Sequence, residues 1–321
     1  MRIVLIGAVE STKVALEVLI EKSLKPLVIT LPLAYSYRHS DFVDLRDICR
    51  DNDIDLVETV NVNSYETVNT IKDYNPEYLF VIGWSQIIKK DLLNIPKKGS
   101  IGYHPSLLPK NRGRGVIPWT IIQEEKETGS TLFWLDEGVD SGDILLQRSF
   151  PLEPNETATT LYKKHINVLR DLLREAIEIL QGENPPRMYQ DHSKATYCAK
   201  RIPEDGLIDW NQPAKKIWTL IRAVAEPYPG AFTFYKDKKL TIWEADYIKE
   251  APFWGLPGQI VQFSDLSALV SCGDREFILI KTVQIENGEK ITPIKILKLH
   301  DKFGIDWLKL YGEYLEGKHE E

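Results

Sequence analysis

The first half of the chain alternates short, nearly continuous apolar runs with longer segments whose apolar residues recur every three or four positions. The apolar runs, which are typical of strands covered on both faces, are Arg2–Ile6, Leu27–Thr30, Leu56–Val60 and Tyr78–Gly83. The segments with helical spacing are Ser11–Ile20, Asp41–Cys49, Ser64–Ile71 and Val116–Gln123. Strands that alternate with helices predict right-handed βαβ units, and so an α/β fold with a doubly wound, mostly parallel sheet.

The pattern changes in the second half of the chain. Glu156–Leu180 is a long amphipathic segment that suits a helix closing the first domain, and Pro185-Pro186 follows it. After one more helical segment, Lys215–Ala225, short strand-like runs are separated by Gly and Asp turns, which predicts a smaller, β-rich and barrel-like domain. We therefore predict a first domain at 1–184, a linker at 185–201 and a second domain at 202–321.

Length, charge and cysteine usage narrow the class of protein. One hydrophobic core stops growing at about 250–300 residues, so 321 residues favour two domains. Residues 201–321 carry 16 Lys and Arg against 19 Asp and Glu, without the basic excess expected of a nucleic-acid binder. No apolar run approaches the roughly 20 residues that span a bilayer. Cys49, Cys198 and Cys272 form neither a CxxC pair nor a zinc pattern, which favours the reducing cytoplasm and no metal site.

The segment from Ser100 to Trp119, SIGYHPSLLPKNRGRGVIPW, has the composition of a rigid functional loop. Pro105 and Pro109 exclude a helix directly after His104. Rigidity suits a catalytic imidazole, because a misplacement of about 1 Å can cost roughly a hundredfold in rate. The glycines beside Arg114 let the backbone come close to a ligand. We therefore predict that His104 is a catalytic residue.

A second segment, FWLDEGVDSGDI at 133–144, contains the carboxylate that suits His104 as a partner. A strand runs here into an acidic turn, and Asp140 lies in that turn. A carboxylate near an imidazole stabilises its charged form and orients the ring. We expect both side chains at the carboxyl ends of strands, where open α/β sheets bind ligands.

The motifs HPSLLPxxRGR and LDxGxDSGDI resemble those of the folate-dependent formyltransferase family, which includes methionyl-tRNA formyltransferases and nucleotide-sugar N-formyltransferases. The later segments RIPEDGLIDW and IRAVAEPYPGAF are similar to the linker and second domain that the tRNA and sugar enzymes share. The resemblance implies an enzyme that transfers a formyl group from 10-formyltetrahydrofolate to a primary amine. It also implies that His104 is the general acid–base and that Asp140 keeps the imidazole basic and aligned.

The resemblance further implies the residues that contact the folate. One group is the loop after the apolar run Tyr78–Gly83, and a second is the backbone of the acidic turn, which would meet the pterin edge. Arg114 matches a family cofactor-contact position. The cofactor-binding residues predicted in this way are Trp84, Ser85, Gln86, Ile87, Ile88, Arg114, Asp136, Glu137, Gly138, Val139 and Asp140.

One position departs from the family pattern. The family has an Asn two residues before the His, where it donates a hydrogen bond to the formyl oxygen, and this chain has Gly102. Loss of one such donor typically costs about a hundred- to a thousandfold. Three explanations stay open: a substitute donor among Ser85, Gln86, Tyr103 and Asn111, a formyltetrahydrofolate hydrolase, or a folate binder without turnover. With a substitute donor in place, Gly102→Asn would be neutral or would raise activity.

The acceptor is indicated only by less specific segments. The tRNA enzymes have a basic insertion after the second strand, whereas Leu31–Phe42 (LPLAYSYRHSDF) has one Arg and one His. This composition favours a small-molecule amine, most simply a nucleotide-linked amino sugar, with aromatic residues available for stacking on the base. The alternative acceptor is methionyl-tRNA. The sequence leaves the oligomeric state open, including a homodimer.

Overall fold

The computed structural model describes residues 1–305 and 311–312, and the chain divides into two compact units, Met1–Arg201 and Ile202–Glu321. Residues 185–201, predicted as a linker, belong to the first unit. The last part of the predicted second domain, residues 306–310 and 313–321, lies outside the described residues. No helix within the described ranges is long and apolar enough to cross a membrane.

The first unit is built on one seven-stranded sheet with helices on both faces. The strands of the first unit, seven in this sheet and two in a separate pair, are β1 (Ile3–Ile6), β2 (Leu27–Thr30), β3 (Leu56–Glu58), β4 (Tyr78–Val81), β5 (Gly99–His104), β6 (Arg112–Gly113), β7 (Glu127–Trp134), β8 (Ile144–Pro151) and β9 (Tyr197–Cys198). Its helices are α1 (Glu10–Glu21), α2 (Arg46–Asp51), α3 (Tyr65–Tyr74), α4 (Lys90–Leu93), α5 (Val116–Ile122) and α6 (Ala158–Leu180). The sheet order is β3-β2-β1-β4-β5-β7-β8, while β6 pairs separately with β9.

Strand β1 shows how the apolar runs produce the layers. Alternate side chains of a strand point to opposite faces of the sheet. Ile3 and Leu5 accordingly join the cluster that packs against α1 and α6, and Val4 and Ile6 join the cluster on the other face. Both faces are covered, which explains why the run is apolar throughout and confirms the doubly wound, mostly parallel sheet.

The pairing of β5 with β7 breaks the parallel pattern. Strands β3, β2, β1, β4 and β5 are parallel, whereas β7 runs antiparallel to β5 and β8 antiparallel to β7. In this register Trp134 pairs with Ile101 and Thr131 with His104. The carboxyl end of β7 therefore lies toward the start of β5, away from His104. The expectation that Asp140 sits at a strand's carboxyl end beside His104 is corrected: the loop between β7 and β8 has to return along the sheet.

The second unit is β-rich, as predicted. One helix, α7 (Ala214–Ala223), is followed by β10 (Ala231–Tyr235), β11 (Lys238–Ile248), β12 (Ile260–Ser264), β13 (Ser267–Ser271) and β14 (Phe277–Ile285). These strands form an antiparallel sheet in the order β10-β11-β14-β13-β12. Ile217 and Ile221, one turn apart on α7, are buried in the core that this sheet provides.

Candidate active site

His104, the last residue of β5, is buried, with only 5% of its surface exposed. Its Nε2 lies 2.7 Å from the backbone oxygen of Asn111. A carbonyl oxygen can only accept, so Nε2 carries the hydrogen and Nδ1 is the nitrogen free to gain or lose a proton. That Nδ1 lies 3.6 Å from Oδ2 of Asp140. The structure therefore brings the two predicted catalytic residues together.

The loop that follows His104 is held by side chains of the neighbouring strands. Thr131 Oγ1 donates to the backbone oxygen of Ser106 at 2.7 Å, and Gln147 Nε2 donates to that of Leu108 at 3.0 Å. Ser106 Oγ closes the loop on the backbone oxygen of Lys110, also at 2.7 Å. These bonds tie the proline-containing segment to the neighbouring strands and to itself.

Asp140 is held by the backbone on the other side of the site. Its Oδ2 accepts a hydrogen bond from the backbone N–H of Gly113 at 2.8 Å, and its own φ of +49° is left-handed. The 3.6 Å separation from His104 Nδ1 is longer than a hydrogen bond. Catalytic pairs are often loose without substrate and tighten when it binds. The carboxylate is thus placed to stabilise a proton on Nδ1.

Gly102 lies in a tightly packed apolar environment. A Cβ at this position would come 2.7 Å from Cδ2 of Leu135 and 2.9–3.0 Å from the ring of Phe133. Phe133 is itself buried, with 2% exposure. An Asn side chain could enter only if these neighbours moved. The packing therefore predicts that Gly102→Asn costs stability, while its neutral or activating effect on turnover stays a prediction.

Three of the four candidate substitute donors are engaged elsewhere. The Tyr103 hydroxyl pairs with Ser130 Oγ at 3.1 Å, and burial raises the pKa of Tyr103. The amide of Gln86 is used at both ends by backbone atoms of the segment after β3, at 3.1 and 2.6 Å. Ser85 Oγ lies 3.4 Å from Nε2 of His39.

Asn111 is the remaining candidate. Its backbone oxygen bonds His104, its side-chain Oδ1 accepts from Thr196 Oγ1 at 3.2 Å, and the residue is 8% exposed. Its Nδ2 donates no hydrogen bond to any residue that the structure describes. Asn111 therefore brings an uncommitted amide donor into the loop that contacts the His104 imidazole.

A cavity of about 270 Å³ lies between the α4 region and the loop after β7. The residues lining it are Lys90, Leu93, Asn94, Gly99, Ser100, Trp134, Leu135, Asp136, Glu137 and Arg187. Asp136 and Glu137 were predicted as cofactor-binding residues, and the α4 residues were not. No motif marks the α4 residues in the sequence.

The other predicted cofactor residues are distributed around this region. Trp84 and Ile88 pack against the apolar cluster on one face of the sheet, and Ile87 is 80% exposed. Trp84 Nε1 is buried without a hydrogen-bond partner among the described residues. None of Trp84–Ile88 lines the 270 Å³ cavity described above.

The remaining predicted cofactor-binding residues are those of the acidic loop and Arg114. Gly138 N donates to Asp136 Oδ1 at 3.0 Å, and Val139 is 54% exposed. The backbone N–H of Arg114 donates to Cys198. Burial lowers the pKa of His39, and the charge of Arg114 acts in the same direction. Arg114 therefore lies close enough to His39 for their charges to interact.

The chain matches two family models and is similar to known proteins in sequence and in fold. Residues 38–177 match the family model described as formyl transferase, and residues 201–300 match that of the formyl transferase C-terminal domain. The chain is 34% identical over 299 residues to the methionyl-tRNA formyltransferase of Caldanaerobacter subterraneus subsp. tengcongensis, covering 91% of this chain and 94% of the relative. HypX from Aquifex aeolicus in complex with tetrahydrofolic acid superposes with a TM-score of 0.65 at 20% identity, covering 99% of this chain and 48% of HypX. WlaRD, a sugar 3N-formyl transferase, superposes with a TM-score of 0.64 at 20% identity, covering 90% of this chain and 99% of WlaRD.

We expect Gly102→Asn to lower the free energy of unfolding by about 1–3 kcal/mol, since added atoms in a packed core force side chains out of their rotamers. Thermal or urea denaturation measures the change. Gly115→Asn is the control, because an added Cβ there meets nothing closer than a side-chain carbon of Arg201 at 3.6 Å and Asn tolerates the left-handed φ of +65°. Wild-type stability of Gly102→Asn would show that Phe133 and Leu135 move aside readily.

Proposed function

The chain belongs to the formyl transferase family, and from that premise we propose that it transfers the formyl group of 10-formyltetrahydrofolate to the primary amine of a nucleotide-linked amino sugar. The observation that carries the transfer chemistry is the pair formed by His104 Nδ1 and Asp140 Oδ2. The choice of acceptor rests on the segment after β2.

The proposed mechanism is a proton transfer coupled to acyl transfer. When bound, 10-formyltetrahydrofolate supplies the formyl group as the carbonyl that the acceptor amine attacks. A carbon–nitrogen bond forms to the amine and the bond to the folate nitrogen breaks. His104 takes the proton of the amine on Nδ1 and returns it to the departing nitrogen. Asp140 stabilises the imidazolium while it holds that proton.

Apolar and polar side chains lie together beside the acidic loop. Leu135 and Leu93 provide apolar contact surface, and Asp136 and Glu137 bring backbone and carboxylate groups to one edge. A pterin has this combination of apolar faces and a polar edge. We propose that Trp84–Ile88, Arg114 and the backbone of residues 136–140 hold the folate, with the pterin edge against the acidic loop.

Asn111 is the proposed donor to the formyl oxygen. An oxyanion donor must be preorganised before the charge develops. The backbone of Asn111 is tied to His104 and its Oδ1 to Thr196, which leaves Nδ2 to donate. The donor that the family carries on β5, at the position of Gly102, would in this chain come from the loop that follows β5.

We expect His104→Ala and Asp140→Ala each to reduce kcat/KM for formyl transfer by about 10²–10⁴, the usual worth of a general acid–base group. Initial rates with 10-formyltetrahydrofolate, together with circular dichroism and thermal unfolding, separate loss of chemistry from loss of fold. Asp140→Asn is the conservative comparison, because it keeps the side-chain shape and removes the charge. Wild-type turnover of His104→Ala would refute the catalytic assignment.

Asn111→Asp tests the donor. The substitution keeps the acceptor for Thr196 and suits the left-handed φ of +55°, but it removes the N–H donors. We expect kcat to fall by about 10²–10³ with little change in KM, the signature of a lost oxyanion donor. Thr196→Val serves as the control, since it weakens the anchor while the amide stays. If kcat of Asn111→Asp is unchanged, Asn111 is not the donor.

The segment after β2 supports a small acceptor. Its Leu33–Arg38 part forms a 3₁₀ turn that exposes Tyr37 to 76%. Its single arginine, Arg38, stacks 4.7 Å from the ring centroid of Tyr35 and donates to the backbone of Val60. This cation is thus engaged within the chain, while the exposed ring of Tyr37 offers aromatic surface to a nucleotide base.

Methionyl-tRNA is the second candidate acceptor. It is favoured by the 34% identity to a methionyl-tRNA formyltransferase over most of both chains. The family relationship covers both tRNA and sugar enzymes, so the acceptor has to be decided by direct comparison.

We expect formylation of one or more nucleotide-linked 3-amino or 4-amino deoxysugars, and no tight binding of initiator methionyl-tRNA. The experiment pairs a sugar panel assayed with 10-formyltetrahydrofolate and a filter-binding titration of the tRNA. Contacts to six to ten phosphates would make affinity fall by about 10³–10⁵ between 50 and 200 mM salt on duplex DNA, and a tRNA stem should behave similarly. Salt-sensitive tRNA binding followed by its formylation would establish the second candidate instead.

A further inference from the structure

Arg112 is a fully buried cation next to the catalytic loop. It directly precedes the glycine that bonds Asp140, and only 2% of its surface is exposed. No carboxylate in the described part of the chain forms a salt bridge with it. A buried charge is costly unless its donors are satisfied, so the neutral groups that receive them are of interest.

Gln190 is the main recipient. Its Oε1 accepts from Nε and Nη2 of Arg112 at 3.2 and 2.7 Å, and the residue is 1% exposed. Tyr197 OH and His192 Nδ1 accept further hydrogen bonds from the guanidinium at 3.1 and 3.0 Å. Because an arginine can only donate, it fixes which end of the Gln190 amide faces it.

The other end of that amide faces the loop carrying Asp140. Gln190 Nε2 donates to the backbone oxygens of Asp140 and Gly142 at 3.0 and 2.6 Å. The loop needs such support: Asp140 has a left-handed φ, and a Cβ at Gly142 would come within 1.8 Å of a backbone oxygen of Trp134. The guanidinium also polarises the amide and so strengthens the bonds made by Nε2.

We propose that Arg112 and Gln190 are positioning residues. They hold the loop between β7 and β8, residues 135–143, in the conformation that keeps the Asp140 carboxylate beside His104. This inference rests on the proposed function for its kinetic consequence, but the loop ordering is a property of the chain itself. Neither residue touches the reacting atoms, and both act through Asp140.

Gln190→Glu is the sharpest variant. It keeps the shape and gives Arg112 a carboxylate partner, so the fold is retained, but it removes both N–H donors to the Asp140 loop. Arg112→Lys keeps the charge and loses the fork of donors. Gln284→Glu is the matched control, because Gln284 likewise accepts from a side-chain N–H of Trp243 and donates to the backbone oxygen of Gly288, but in the second unit.

The first measurement is hydrogen–deuterium exchange on the full chain, which needs no activity. We expect peptides covering 135–143 to exchange about tenfold or more faster in Gln190→Glu and Arg112→Lys, with β1 and α1 unchanged, and the control to behave as wild type. Unchanged exchange at 135–143 in both variants would overturn the proposal, whatever the outcome for formyl transfer.

The second measurement is a double-mutant cycle in the transfer assay. We expect Gln190→Glu to lower kcat by about 10- to 100-fold with KM nearly constant, since misplacement by about 1 Å costs roughly that much. In an Asp140→Ala background the same substitution should have no further effect. An additive loss would show a general structural role and contradict positioning through Asp140. Absence of transfer in wild type would refute the proposed function and leave the exchange result to decide the proposal.

Discussion

The antiparallel pairing of β7 with β5 is the constraint on which the rest of the site depends. Parallel strands deliver their carboxyl ends to one edge of a sheet, and β5 places His104 there. Strand β7 runs the other way, so the chain that leaves it starts from the far end of β5 and must return before Asp140 can reach the imidazole. Ordering such a loop costs about 1–2 kcal/mol per residue in backbone entropy. The dense polar contacts of the loop are the compensation for that cost.

Those contacts come from chain segments far apart in sequence. Gly113 reaches Asp140 from the loop after β5, and Gln190 reaches it from the segment after α6. Within the loop, Ser141 Oγ donates to both carboxylate oxygens of Asp136 at 2.8 and 2.9 Å. The position of the Asp140 carboxylate therefore depends on segments from several parts of the first unit. The same pairing of β7 with β5 places Phe133 directly opposite Gly102 and Leu135 just beyond it, which explains why β5 has no space for an amide at that position.

The strands and the His104–Asp140 pair could be predicted from the sequence, whereas the direction of β7 and the contacts of Gln190 could not. Apolar runs such as Tyr78–Gly83 predicted the strands, because burial on both faces requires continuous apolar side chains. Local motifs identified His104 and Asp140 as partners. Strand direction leaves no trace in a period-two or continuous apolar pattern, so the reversal at β7 could not be foreseen. Gln190 lies in a polar stretch with the composition of a linker, where nothing local marks a residue that acts on a loop about 50 positions away.

The electrostatics of the second unit bear on the acceptor through pairing as well as through net charge. Phosphate binding draws its free energy from cations that release counterions. Lys281 is 2.7 Å from Asp246, and Lys290 is 2.6 Å from Glu226 and 4.2 Å from the ring centroid of Trp243. A phosphate at either lysine would have to compete with these partners. Exposed pairs are worth at most about 1 kcal/mol, so such competition weakens phosphate binding without preventing it. For these two lysines, the pairing argues in the same direction as the non-basic segment after β2, on which the proposal of a small acceptor rests.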